Sequence, residues 1–168
     1  MKFDKKQQFI NTLDAHKKII YKIVNSYSPN KENRKDLEQE IVIQLWNTFD
    51  RYDPQYKYST WMYRIALNVA ISHYRKEKKG LVHTDFYNED SVYTIADELE
   101  YDPSLDINIS LLQDFIDKQN ALNKAILLLY LEEKSYEEIA AILGITKTNV
   151  ATKISRLKQQ LKKEFKNR

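Results

Sequence analysis

The 168-residue chain has no cysteine, two glycines and three prolines. Without cysteine there is no disulfide framework and no thiolate metal site, which fits a reducing compartment. So few glycines and prolines leave little turn punctuation, and the wealth of Lys, Glu, Leu and Ile predicts long helices. No stretch approaches 18 consecutive apolar residues, so no membrane span is expected. The opening "KFDKKQQFINTLD" lacks the apolar core of a secretion signal. Three scattered histidines (His16, His73, His83) and no Gly-rich phosphate loop give no metal centre and no nucleophile constellation. The carboxylates Asp97, Glu98 and Glu100 are too local and too solvated to look catalytic. An enzyme is not expected, and neither is a cofactor.

Charge is plentiful but unevenly placed. Residues 1–80 carry 16 Lys and Arg against 9 Asp and Glu, and residues 118–168 carry 11 against 5. Residues 81–117 between them have ten acidic residues and no basic one. Two basic blocks flank an acidic connector. This pattern fits two solvated domains with a disordered linker. It also fits two nucleic-acid-binding modules joined by a segment that avoids or imitates nucleic acid.

Apolar spacing supplies an all-α fold of two small helical domains. Phe9, Leu13, Ile20 and Val24 sit at helical spacing within residues 7–27, which "SPN" ends. Asp36 opens a second helix with Leu37, Ile41, Leu45 and Phe49 at four-residue steps, closed by "YDP" at 52–54. A third begins near Ser59 or Thr60 and stops near Gly80. Residues 81–106 lack sustained periodicity and read as the linker. From about Ile107 the apolar pattern resumes, and "NKAILLLYL" reads as a buried helix. The domains are therefore 1–80 and 107–168.

The C-terminal part has a sharp local grammar. Ser135 and Glu138 form a capping box that opens a short helix. Gly144 permits a turn at positive φ, and Thr146 can cap a second helix. Val150, Ile154, Leu157 and Leu161 share one side of that helix, so Thr148, Thr152 and Ser155 face away, with Asn149, Lys153 and Arg156 on the flank. Such a pair is either a plain helical hairpin with a solvated face or a helix-turn-helix. In the latter the second helix enters the major groove, and small hydroxyls, Asn, Lys and Arg are suited to base edges and phosphates.

The N-terminal part is unusual in its aromatics. Phe49, Tyr52, Tyr56, Tyr58, Trp61 and Tyr63 fall within fifteen residues. On a helix, Trp61, Arg64, Asn68, Ser72 and Arg75 form one stripe, while Met62, Ile65, Ala66, Val69 and His73 form a roughly opposite, core-facing one. Stacking rings, an amide and guanidinium groups suit single-stranded nucleic acid, and the basic run Arg75–Lys79 would extend a phosphate contact. The bland alternative is packing, with Trp61 covering a helix junction. The second helix also shows an acidic and amide face (Asp36, Glu38, Gln39, Glu40, Gln44), either solvated or turned toward a protein partner.

Taken together, "DLEQEIVIQLW", "YSTWMYRIALNVAISHYRK" and "LEEKSYEEIAAILGITKTNVATKISRLKQQLKK" resemble regions 2.2, 2.3–2.4 and 4.2 of the sigma-70 superfamily, in its extracytoplasmic-function (ECF) group. The resemblance implies a cytoplasmic, non-enzymatic promoter-specificity subunit of bacterial RNA polymerase. It implies that Asp36, Gln39, Glu40, Gln44 and Trp46 dock on the β′ clamp. Tyr56, Tyr58, Trp61, Arg64, Asn68 and Arg75 would capture a base flipped from the −10 element. Lys147, Thr148, Asn149, Thr152, Lys153 and Arg156 would read the −35 element, with the β flap nearby and the linker threading toward the RNA exit path. An anti-sigma factor is a further implied partner. The chain departs from the family pattern at Thr148, where Gly is frequent, at Ala151, where Lys or Arg is common, and in "DKQNALNKAI". An independent helix-turn-helix regulator of closed duplex is the alternative, but it leaves the aromatic stripe unexplained.

Overall fold

The computed structural model describes residues 2–80 and 103–167. Among them are seven α-helices, one 3₁₀ turn and no strand, in keeping with the all-α expectation. Helices α1 (Lys2–Tyr27), α2 (Lys31–Thr48) and α3 (Tyr58–Gly80) build one compact unit. Helices α4 (Pro103–Asp117), α5 (Ala121–Leu131) and α7 (Lys147–Lys166) build on another, with α6 (Tyr136–Leu143) preceding α7 in sequence. The acidic connector at 81–102, with His83, Asp97, Glu98 and Glu100, lies outside the described residues. Its expected end at 106 is corrected, because α4 already starts at Pro103. Proline suits a first helical position, where its missing N–H would have had no partner.

The first unit is held by α2. Leu37, Ile41 and Leu45 are fully buried at successive turns, and Phe49 continues the line into the 3₁₀ turn Phe49–Arg51. Each such side chain contributes about 1.5–3 kcal/mol by leaving water. Helix α1 supplies Phe9, Ile19, Ile20, Ile23, Val24 and Tyr27 to this core, while Leu13 is only half-buried. Tyr27 meets Tyr74 edge-on at 5.9 Å, and burial drives its phenol strongly upward, so the ring stays neutral.

Two helix starts differ from expectation. Helix α1 begins at Lys2 rather than residue 7. Helix α2 begins at Lys31 rather than Asp36, because Asn30 is the true cap and its side chain accepts from the Glu32 N–H at 2.9 Å. The first turn, "KENRKD", has no apolar residue and hence no periodic signal. Arg34 fastens the corner from that turn: its guanidinium donates to the carbonyls of Ser28 (2.7 Å) and Pro29 (3.1 Å).

The core side of α3 is also corrected. Met62, Tyr63, Ala66, Leu67 and Ala70 are buried, whereas Ile65, Val69 and His73 are only partly so. The inward face is thus rotated by about 70° from the expected stripe, toward Tyr63 and Leu67. That rotation leaves Arg64, Asn68, Ser72 and Arg75 directly opposite the core, and all four are exposed.

In the second unit α5 is buried on most sides, through Ala121, Lys124, Ala125, Ile126, Leu127 and Leu129. Asn120 caps it by accepting from the Asn123 N–H at 2.9 Å. It ends with Glu133 at φ 58°, an uncommon conformation for a side-chain-bearing residue. The Glu133 and Lys134 N–H groups return to the carbonyls of Tyr130 and Leu129 in a Schellman pattern that normally uses glycine.

Candidate polymerase and nucleic-acid interfaces

The residues around the 3₁₀ turn assemble the aromatic cluster. The Tyr52 and Tyr58 rings stack at 4.1 Å and 16°. Trp61 stands edge-on to Tyr52 at 5.7 Å and tilts against Phe49 at 5.9 Å. The connecting loop is shaped by Asp53, whose carboxylate accepts from the Gln55 N–H at 3.0 Å and whose carbonyl accepts from the Tyr56 N–H at 3.1 Å. The Tyr52 hydroxyl donates to the Tyr56 carbonyl. Desolvation, then Tyr58 and Asp53, hold the Tyr52 phenol above its ordinary range, so it remains a neutral donor.

Trp61 therefore does two things. It is half-buried among Phe49, Tyr52 and Tyr58, so it braces the loop, and it also begins the exposed stripe of α3. Tyr56, 53% exposed, and Tyr58, half-buried, stand at the head of that stripe. Arg64, Asn68, Ser72 and Arg75 continue along it, exposed, three to four residues apart. Tyr52 is one of the six aromatics that mark this segment in the sequence. The density of aromatics was its signal, but the stacking partner was legible only in three dimensions.

The outer face of α2 carries Asp36, Gln39, Glu40 and Gln44, all exposed. Trp46 closes one edge: it is 38% exposed, meets Phe9 edge-on at 5.1 Å, and has the Lys5 ammonium 4.6 Å from its ring centroid. The same ammonium is ion-paired with Asp50 of the 3₁₀ turn. Ile43, unforeseen in the expected set, is 56% exposed at the centre of this face. Its helical angle, opposite Leu37–Ile41–Leu45, was the available signal.

The local grammar of α6 and α7 is as expected. The Ser135 N–H donates to the Glu138 carboxylate (2.8 Å), while the Glu138 N–H donates to Ser135 Oγ (3.1 Å). Gly144 adopts φ +67° with open space around it, so glycine serves the backbone angle and not a tight fit. Thr146 Oγ1 accepts from the Asn149 N–H at 3.1 Å. Val150, Ile154 and Leu157 are buried and Leu161 is half-buried. Thr148, Asn149, Thr152 and Arg156 are exposed, and Lys153 is half-buried. The Thr152 hydroxyl donates to the Thr148 carbonyl at 3.0 Å, which leaves its oxygen to accept. Lys147 is exposed too, but is ion-paired with Glu137.

Comparison with known proteins agrees with this arrangement. The sigma-70 region 2 family matches residues 12–80, and sigma-70 region 4 matches residues 119–161. The RNA polymerase sigma factor YlaC of Bacillus subtilis is 31% identical over 80% of this chain and 78% of its own length. This chain belongs to the sigma-70 superfamily. The ECF sigma factor SigW of the same organism is 28% identical over 95% of the chain and 89% of its own length, which agrees with the ECF group. Among solved structures, the fold matches sigma factor RpoE from Bartonella quintana, in a complex with the anti-sigma factor NepR. That match has a TM-score of 0.66 at 21% identity and covers 97% of each chain. CnrH, solved with the cytosolic domain of CnrY, matches with the same TM-score at 17% identity, over 96% of this chain and 90% of that one.

As an ECF sigma factor, the protein is a promoter-specificity subunit of bacterial RNA polymerase, in a family of initiation factors without enzymatic chemistry. Among the described residues there is no group of three or more metal-binding side chains and no helix long and apolar enough to cross a membrane.

Proposed function

We propose that the sigma factor divides promoter recognition between its two helical units, and acts in the cytoplasm without catalysing a covalent step. The α2 face (Asp36, Gln39, Glu40, Gln44 and Trp46, with Ile43 at its centre) docks on the polymerase clamp, where an apolar anchor inside a polar rim gives a fitting interface. Tyr56, Tyr58, Trp61, Arg64, Asn68 and Arg75 hold an unpaired stretch of the −10 element. Unstacking a base costs a few kcal/mol, and stacking on an aromatic face returns about 1–3 kcal/mol per base. The amide of Asn68 is suited to the edge of an extruded base, and the guanidinium groups to its flanking phosphates.

On α7, Thr148, Asn149, Thr152, Lys153 and Arg156 read the −35 element as duplex. Residues 81–102 connect the two units. An anti-sigma factor fits as the protein partner that withholds the chain from polymerase, since the structural relative RpoE was solved bound to the anti-sigma factor NepR.

One observation carries the reading: the braced Tyr52–Tyr58–Trp61 cluster opens onto an exposed arginine–asparagine stripe. A duplex-only regulator has no use for it. The test is permanganate probing of a cognate promoter with reconstituted holoenzyme. Reactive thymines in the −10 element support the reading; tight, specific duplex binding by the chain without polymerase, and no opening with it, would overturn it.

A further inference from the structure

Lys147 is the first residue of α7, and its place in sequence groups it with Thr148, Asn149 and Thr152. The geometry separates it from them. At 100° per residue, Lys147 points about 60° from Val150 and about 20° from Ile154, toward the buried side of α7, and roughly 100–140° away from Thr148 and Thr152. Its ammonium is ion-paired with Glu137 in the first turn of α6, ten residues back and across the turn at Gly144. The pair is open to water, with side-chain exposures of 61% and 64%. Pairs of that kind add little to stability, so folding gives no strong reason for it.

Its position gives another reason. The start of a recognition helix is where backbone N–H groups and the helix dipole attract a phosphate, and a lysine there strengthens the attraction. Such a contact acts on any DNA, because phosphates carry no sequence. Lys147 is the only cation among residues 147–152. Held by Glu137, it leaves the first turn and a half of α7 presenting Thr148, Asn149 and Thr152, which are neutral and suited to base edges.

We propose that Glu137 is a restraining residue that competes with the DNA backbone for Lys147 and weakens one phosphate contact in the sequence-independent part of binding. The inference rests on the reading of α7 as the duplex-binding helix. Each neutralised phosphate changes the slope of log K against log salt by about 0.9 and is worth up to about eightfold near 0.1 M salt. A dissociable subunit gains from the weakening, because bulk DNA then competes less for the chain.

The test measures the salt dependence of binding by the full chain, between 50 and 200 mM salt, on a −35 duplex and on a scrambled duplex. Glu137→Gln is expected to steepen the slope by about 0.9 on both DNAs and to tighten binding several-fold. Adding Lys147→Gln to that variant should return the slope to the wild-type value. An unchanged slope for Glu137→Gln, or a slope made shallower by about 0.9 by Lys147→Gln alone, overturns the inference. Arg156→Ala distinguishes the two levels. If it weakens the −35 duplex while Glu137→Gln does nothing, only the restraint is wrong; if neither has any effect, the duplex-reading role of α7 falls as well.

Discussion

The two helical units expose their candidate nucleic-acid surfaces in contrasting ways. In the first, the surface is built of tertiary structure: Tyr52, Tyr58 and Trp61 hold one another through ring contacts, with Phe49 beneath. In the second, the surface is one side of a single helix, whose exposed Thr148, Asn149 and Thr152 are placed by the cap at Thr146 and the turn at Gly144. The difference matches the two targets. An unpaired base has no shape of its own, so the protein must supply a rigid wall for it. A duplex has a groove already, and needs only a helix of suitable face presented at a fixed angle.

The strongest way to break the contrast is to empty the core under the first surface. Ile41→Ala removes a fully buried side chain and should cost about 2–5 kcal/mol. Followed by site-specific probes in each unit, the melting transition of α1–α3 should fall while that of α4, α5 and α7 holds. A common shift would mean that the units unfold as one.

Next in size is the stripe itself. Asn68 is exposed, so Asn68→Ala should leave the fold and polymerase binding intact. Loss of a base-edge contact worth about 1–3 kcal/mol should reduce open complexes by roughly five- to 150-fold in permanganate or 2-aminopurine assays. Equal loss of polymerase binding would remove Asn68 from the base pocket. A charge reversal on α2, Glu40→Lys, should weaken association with core polymerase on the order of tenfold, seen as faster exchange in competition with another sigma factor. Unchanged competition would take that face out of the interface.

These surfaces were unequally legible in the sequence. The caps, turn and core of α6–α7 could be read because each depends on neighbours within four residues: Ser135 with Glu138, Thr146 with Asn149, and Val150 with Ile154. The start of α2 was hidden, because its first turn is polar and its stability comes from the Asn30 cap and from Arg34 reaching back to Ser28 and Pro29. The face of α3 was displaced because Tyr63 and Leu67 can sit at a boundary or in a core, and only packing decides. Trp61 belonged to both proposed roles, and no spacing rule could divide them. The Lys147–Glu137 pair spans ten residues and a turn, so charge alone did not reveal it.

The smallest effects sharpen the second unit. Gly144→Ala places a side chain at positive φ in the turn before α7 and should cost about 1–2 kcal/mol of stability, with less effect on single-strand binding than on duplex binding. Glu133→Gly relieves the corresponding strain after α5 and should raise its melting temperature, by an amount worth about 0.5–1 kcal/mol. No gain would show that Glu133 repays its conformation elsewhere.

The division of labour is tested most directly by two variants on two DNAs. Holoenzymes carrying Asn68→Ala or Arg156→Ala are titrated with a single-stranded −10 oligonucleotide and with a −35 duplex. The account predicts crossed losses: Asn68→Ala weakens only the single strand, and Arg156→Ala weakens only the duplex. Parallel losses on both DNAs for either variant would contradict it.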